Sequence, residues 1–346
     1  MQAGRRRGVS YVVDGSVRTD ADTVRIGAKL VDVSSGRILW TGTYDRKLTA
    51  ASLLDVQGEI AAEVATVLGQ PYGVVHNDET SHLPRDITPS MPSYECVLQA
   101  YAYRRSFTRV LYGPVQTCLE AAVKRDPDYA EAWAMLGWTH LDTGRFGWTA
   151  DGNLEREYNL ALDAASHAVT LNGRSVLALK ALSSINHYMG NFEEGERIQR
   201  RALSLNHNDP DTLAQLGWRL AVRGKFADGI PYLKQAIDRT VNPPGWYFHL
   251  VSIDHYLNGR YAEMLNAAKN GTVDGSGVSW SLVAIAQGAL GNEAAARDAL
   301  ERMAAVAPAL NRDPAAVYRR HQATEDIVDA LVKGLRNAGW RPPESH

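Results

Sequence analysis

Leu213-Ala214-Gln215-Leu216-Gly217, then Gly224-Lys225-Phe226, then Ala236, is the stretch that decides the fold. A large residue stands eleven positions before the second glycine, an aliphatic and a small residue stand eight and seven before it, and an aromatic stands two after it. The same arrangement surrounds Gly190 (Leu179, Leu182, Phe192), Gly259 (Phe248, Val251, Tyr261) and Gly144 (Trp133, Leu136-Gly137, Phe146). The step from Gly190 to Gly224 is 34 residues. A fixed period of this length marks stacked helical hairpins: each unit leaves an apolar face open, and the next unit covers it. A small residue at the crossing lets two helix backbones approach, and the large residue fills the space beside it.

Working outward, the periodicity predicts about six hairpins. The first runs from Cys96 to Tyr129, with Val110 where the turn glycine would stand, and ends in Asp126-Pro127-Asp128. The second opens at Ala130-Glu131-Ala132-Trp133 and turns at Gly144; its second helix is delayed by a loop from Phe146 to Asn153. The third covers Val176 to Asp209 and the fourth Pro210 to Pro244. The fifth starts near Gly245, and the sixth, with Trp280, Ala284, Gly291 and Ala296, closes at Pro308. More than three such units make a stable stack. Thr324 to Asn337 carries Ile327, Val328, Leu331 and Leu335 on one face and precedes Gly339, so it is expected to cap the last hairpin. In the second hairpin, Trp148 has two readings, an exposed recognition residue or a ring folded over the hairpin end.

The amino-terminal residues have a different period. From Tyr11 to about Arg46 it is near two: Tyr11-Val12-Val13, then Val24, Ile26, Ala28 and Leu30 alternating with polar residues, then Ile38-Leu39-Trp40 after a Ser34-Ser35-Gly36 turn. Three short strands in an antiparallel meander follow, with Thr19-Asp20-Ala21-Asp22 as the first link. After Thr49, a candidate N-cap, Leu53, Val56, Ile60, Val64 and Val67 mark one helix that ends before Gly69 and Pro71. The organisation expected is therefore an α/β piece over 1–74, a Pro-bearing linker over 75–92, a helical array over 93–311, and a capping helix with tail over 312–346.

The chain has 346 residues, 45% of them apolar and 22% charged, with a formal net charge of −2. That balance provides no field for nucleic acid or an anionic membrane, and Arg5 to Arg7 read as a solvated basic end. No run reaches the ~18 apolar residues of a membrane span, and the apolar stretch Val9 to Val13 stops at Asp14. The chain is therefore expected to be cytoplasmic. Cys96 and Cys118 are the two cysteines, too few for a disulfide framework or a cysteine-built metal site. Aligned on a turn at Val110 they stand out of level, so a bridge between them is not expected.

Two resemblances extend this reading. Tyr11-Val12-Val13-Asp14-Gly15-Ser16-Val17-Arg18, Val24-Arg25-Ile26, Leu30-Val31-Asp32, Leu39-Trp40, Tyr44-Asp45-Arg46 and Gln57-Gly58-Glu59-Ile60 resemble the second half of a TolB-amino-terminal-like α/β domain. The strand-helix-strand portion that usually precedes it is missing here, so the piece is expected to be truncated. Ser93-Tyr94-Glu95-Cys96, Cys118-Leu119-Glu120, Asp126 to Ala134 and Gly334 to Gly339 look like the tetratricopeptide (TPR) half of bacterial adenylate cyclase or TolB-like regulators. In those proteins a class III cyclase domain or a winged helix often stands upstream. The resemblance thus implies a mainly α protein, a TPR α-solenoid preceded by a small α/β piece, forming the regulatory half of a larger regulator.

No catalytic arrangement accompanies it. Gly217 and Gly224-Lys225 are too far apart for a phosphate-binding loop, and Asp274-Gly275-Ser276-Gly277 lacks the preceding strand of a nucleophile turn. The ten histidines are scattered, with His249 and His255 on different faces of a helix. A class III cyclase needs a metal-binding aspartate pair in a mixed sheet, for which the residues before the repeats leave no room. No catalytic residue, metal site or cofactor is expected, and the chain should not make cyclic AMP.

Binding is the positive expectation. The first helices of TPR hairpins line a concave face, and the positions that usually make contacts there hold Arg104, Trp138, Lys180, His187, Trp218, Trp246, His249 and Tyr256. Aromatics beside a few cations suit an extended protein or peptide segment with apolar and acidic side chains. Trp138 and Trp218 can instead pack between repeats. The lysine and asparagine pattern of a chaperone-type carboxylate clamp is absent, which argues against a carboxy-terminal tail as ligand. The expected role is a non-enzymatic scaffold in bacterial signalling. The alternatives are a regulatory fragment of a larger cyclase or winged-helix regulator and a periplasmic TolB-like assembly partner. The sequence specifies no oligomeric state.

Overall fold

A computed structural model describes residues 9–20, 23–47, 53–69, 74–75, 93–149 and 152–343. The chain divides into two units, Met1–His82 with Arg239–Asn242, and Leu83–Asp238 with Pro243–His346. The Arg5 to Arg7 cluster, the N-cap expected at Thr49 and the linker stretch at 76–92 lie outside the described residues.

In the first unit, β1 (Tyr11–Asp20), β2 (Thr23–Asp32) and β3 (Ile38–Lys47) form an antiparallel meander in chain order. Each strand has ten residues, longer than the apolar alternation marks, because the β1–β2 ladder continues through polar Asp14-Gly15-Ser16 to Asp20 opposite Thr23. At the second turn the Asp32 carboxylate accepts from the Ser34 amide at 2.7 Å and Gly36 takes φ 75°, which closes the loop tightly. Helix α1 (Leu53–Gly69) brings Ile60 and Val64 against Val24, Ile26 and Tyr44. That core is small, as expected for one helix on three strands.

The second unit is a stack of paired helices. The pairs are α2 (Ser93–Ser106) with α3 (Arg109–Arg125), α4 (Ala130–Phe146) with α5 (Leu154–Leu171), α6 (Val176–Tyr188) with α7 (Phe192–Leu205), and α8 (Pro210–Val222) with α9 (Phe226–Asp238). A 3-10 turn (Gly245–Phe248) leads into α10 (His249–Leu257), paired with α11 (Tyr261–Asn270); α12 (Gly277–Ala289) pairs with α13 (Glu293–Val306). These are the six hairpins read from the sequence. Short helices α14 (Pro308–Arg312) and α15 (Pro314–Arg320) lead to the capping helix α16 (Glu325–Asn337), whose Ile327, Val328, Leu331 and Leu335 are buried as its periodicity predicts.

The small residues act where expected. A Cβ on Gly217 would stand 2.6 Å from the Gly229 carbonyl oxygen, and one on Gly229 2.5 Å from the Gly217 oxygen, so α8 and α9 touch backbone to backbone. Gly137 meets Ala161 and Gly195 meets Ser183 in the same way. The turn glycines Gly190, Gly224, Gly259 and Gly291 take φ between 71° and 87°, open to glycine at no steric cost.

Two turns depart from the alignment. Gly144 stays inside α4 against the Tyr158 ring, and the left-handed residue is Gly147 one helical turn later, at φ 68°. In the first hairpin the turn falls at Phe107, with φ 51°, while Val110 lies exposed in α3. The second shift overturns the expectation for the cysteines. Cys96 and Cys118 are equally distant from Phe107 in sequence, so they stand level across the hairpin and form a disulfide with a Cα–Cα distance of 5.5 Å. The bridge closes a loop with a sequence separation of 22. Reducing it, or Cys96→Ser with Cys118→Ser, should lower unfolding free energy by about 3 kcal/mol in a urea titration. An unchanged midpoint would contradict the bridge.

Candidate functional site

The first helices of successive hairpins converge on one half-open cavity of about 490 Å3, within the range of ~300–1,000 Å3 usual for ligand sites. Its wall is aromatic and cationic on the side of the first four hairpins: Arg104 and Phe107, then Trp138 and Arg145, then Ser184 and Tyr188, then Gln215, Trp218 and Arg219. Trp246, His249, Leu250 and Ile253 continue it from the fifth. The carboxy-terminal elements supply an apolar wall with Leu282, Leu310, Val317, Ile327 and Leu331.

The segment Arg320–Thr324 closes one rim. The carbonyls at a helix C-terminus lack intrahelical donors, and this segment provides them: Gln322 Nε2 donates to Tyr188 O at 2.9 Å, and the Thr324 amide donates to Val222 O at 3.2 Å. Arg223 Nη1 donates back to Gln322 O at 3.0 Å, and Gln322 itself has φ 63°. His321 packs its ring 5.8 Å from that of Phe146, with Nδ1 3.3 Å from the Tyr188 hydroxyl. The end of the chain is thereby fixed to the ends of α4, α6 and α8, which an account of the capping helix alone does not anticipate.

Among the described residues lining the cavity, five are arginines and none is aspartate or glutamate. Arg145 has a counter-charge, with Nε 2.7 Å from Asp142 Oδ1; burial lowers the guanidinium, but Asp142 and Tyr188 raise it above its ordinary value. Arg104 and Arg219 differ. Arg104 is 6% exposed, its Cζ sits 3.7 Å from the Trp138 ring centroid, and its Nη1 has no hydrogen-bond partner. Arg219, 7% exposed, donates to the neutral oxygens of Gln199 at 2.7 Å, Gln215 at 2.9 Å and Ser184. Burial, reinforced by nearby Arg104, pushes Arg219 down to about 9, so it remains charged at neutral pH.

Of the eight residues proposed from the repeat positions, Arg104, Trp138, Trp218, Trp246 and His249 line the cavity. Trp138, 2% exposed, also belongs to the core of the first hairpins, so its two readings coexist. Lys180, His187 and Tyr256 do not line it. Lys180 is 1% exposed, with Nζ 3.0 Å from Asp209 and 2.7 Å from Asp211; burial would lower the ammonium, but the two carboxylates raise it. Gln215 and Tyr247 also donate to Asp211, at 2.8 and 3.4 Å, so this network ties three hairpins together. His187 is enclosed by Tyr188, Phe192 and Trp218, and Tyr256 lies against Gly334 of α16. Trp148, half-buried, folds onto Phe146 and Tyr112 while also lining the cavity. Sequence reasoning passed over Arg219, whose signal is a cation inside the apolar run Leu216 to Val222. It also passed over His321, which has no periodic context.

Asp274-Gly275-Ser276 is a loop, in which Ser276 caps α12, and Gly277 begins that helix. Among the described residues no group of three or more His, Cys, Asp or Glu is placed to hold a metal ion, and no helix is long and apolar enough to cross a membrane.

Comparison with known proteins agrees with this architecture. No family model matches the chain. Over 195 residues, 56% of the chain, it is 25% identical to "Putative adenylate cyclase 3" of Rhizobium meliloti (strain 1021), and it spans about a third (32%) of that relative. The structure of the human IFIT1 dimer with m7Gppp-AAAA superposes with a TM-score of 0.53 at 13% identity, over 82% of this chain and 64% of that one. YrrB, described as a TPR protein with an unusual peptide-binding site, gives a TM-score of 0.35 at 14% identity, over 59% of this chain and 97% of that one. The paired helices themselves define a TPR-like α-solenoid, preceded by a small open sheet.

Two outcomes follow from the buried charges. Lys180→Met leaves Asp209 and Asp211 without their cation and should cost about 3–5 kcal/mol in urea unfolding; a cost below about 1 kcal/mol would show the network to be dispensable. Burial lowers His249 from 6.5 to about 4, and lowers His321, which also faces Arg145, Arg320 and His249, from 6.5 to about 3. As pH falls below 6.5 the unfolded chain takes up protons that the folded chain refuses. Stability should therefore fall between pH 6.5 and 4, by up to about 1.4 kcal/mol per pH unit for each histidine. His249→Asn with His321→Asn should make that limb shallower in thermal melts, leaving the part due to His187, which burial also lowers.

Proposed function

We propose that the chain is a non-enzymatic TPR binding module of a bacterial signalling protein, receiving a short segment of a protein partner at its concave face. The observation that carries this reading is the convergence of Arg104, Trp138, Trp218, Trp246 and His249, from four hairpins, on one half-open cavity. Aromatic and arginine side chains in a desolvated pocket are the usual anchors of an interface. The short segment suits this geometry better than a long extended one, which would meet Arg320–Thr324 at the rim.

The signalling context draws on the similarity to the Rhizobium meliloti protein, whose name gives adenylate cyclase. In this reading the chain corresponds to a regulatory portion, with a TolB-like piece before the repeats, acts in the cytoplasm and binds no nucleic acid or membrane itself. The Cys96–Cys118 bridge favours a second setting, an oxidising periplasm, where such bonds persist. Fractionation of native cells, with the thiol state read by mass spectrometry, decides between the two.

Trp218→Ala and Trp246→Ala should each weaken partner capture by about tenfold or more in a pull-down, with helical circular dichroism retained. Retained capture by both folded variants would place the partner elsewhere.

A further inference from the structure

We infer that the cavity is a site for a small amphipathic anion, a carboxylate, sulfonate or phosphate head carried on an apolar body. The inference rests on the concave face being the binding place, and it names the chemistry of the ligand.

Two guanidinium groups, Arg104 and Arg219, are more than nine-tenths buried and line the same space, with no carboxylate among the described lining residues. A buried cation is expected to be paired. Arg219 reaches only neutral acceptors, and Arg104 Nη1 reaches none. Trp246 Nε1 is a second buried donor without a partner. The cavity wall therefore carries positive charge that no carboxylate among the described lining residues offsets, which an anion satisfies and which a neutral or cationic ligand does not. The Arg104 guanidinium is held in place over the Trp138 face, beside the space a head group would fill.

The remaining wall sets the rest of the ligand. Leu282, Leu310, Ile327 and Leu331 offer no hydrogen bonds, so the part of the ligand against them is apolar. The volume, about 490 Å3, suits a small molecule or the single side chain of an acidic peptide. Inorganic phosphate alone would leave that wall uncovered.

Fluorescence titration of the full chain tests this with two probes that differ by one charge, anilinonaphthalenesulfonate and the uncharged phenylnaphthylamine. The wild type should bind the sulfonate at least about tenfold more tightly, the scale of a charge-assisted hydrogen bond. Arg104→Gln and Arg219→Gln should each remove most of that preference without changing phenylnaphthylamine binding, and Arg200→Gln, on the exposed outer surface, should change neither. Should the glutamine variants fail to fold, the wild type alone decides: octanoate should displace the sulfonate probe at least about tenfold better than octanol. Equal binding of the two probes, no binding of either, or equal displacement by the acid and the alcohol would overturn the inference. If the probes show no charge preference while Trp218→Ala still abolishes partner capture, the binding face stands and the anion chemistry falls. If the preference holds and partner capture survives the tryptophan changes, the partner reading falls instead. Displacement of the probe by an acidic peptide, compared with octanoate, separates a protein source of the anion from a free small acid.

Discussion

Backbone contact between the two helices of the second, third and fourth hairpins is the constraint on which the second unit depends. Where Gly217 faces Gly229, the carbonyl of each occupies the place a Cβ of the other would need, and no side chain can stand between α8 and α9. Close crossing aligns the ridges of one helix with the grooves of the next and repeats the same offset from hairpin to hairpin. Each first helix is then presented to a common interior. The aromatic and arginine residues that converge there come from positions far apart in sequence, and only the constancy of the crossing brings them together.

The interior is held by two polar devices as well as by packing. Lys180 with Asp209 and Asp211 joins the third, fourth and fifth hairpins through a network in which one ammonium is shared by two carboxylates. At the rim, Gln322 and Thr324 donate to carbonyls at the ends of α6 and α8, so the end of the array is hydrogen-bonded to its middle. The contrast with Arg104 and Arg219 is physical. Lys180 is held by carboxylates, whereas Arg104 and Arg219, two of the five arginines that line the cavity, have no carboxylate within salt-bridge distance among the described residues.

The sequence made the repeats legible because burial in a stacked hairpin imposes a period, and Gly190, Gly224 and Gly259 mark turns that only a left-handed residue completes. It was misleading where another residue took over the turn. Phe107 replaced the expected Val110, and the three-residue shift was enough to bring Cys96 level with Cys118. Of the cavity, the tryptophans Trp138, Trp218 and Trp246 were visible from their repeat positions. Lys180 occupied an equivalent position but was drawn into the wall by Asp209 and Asp211, at the start of α8. The rim segment had no signal at all, since Gln322 and Tyr188 are 134 residues apart and neither belongs to a periodic pattern that refers to the other.

The decisive property of the molecule is what its half-open cavity holds. A crystal structure of the full chain grown with anilinonaphthalenesulfonate should show the sulfonate within about 3 Å of guanidinium nitrogens of both Arg104 and Arg219, with the rings against the leucine wall and Arg320–Thr324 still along the rim. A ligand bound outside the cavity, or side chains of the protein filling the space, would contradict it.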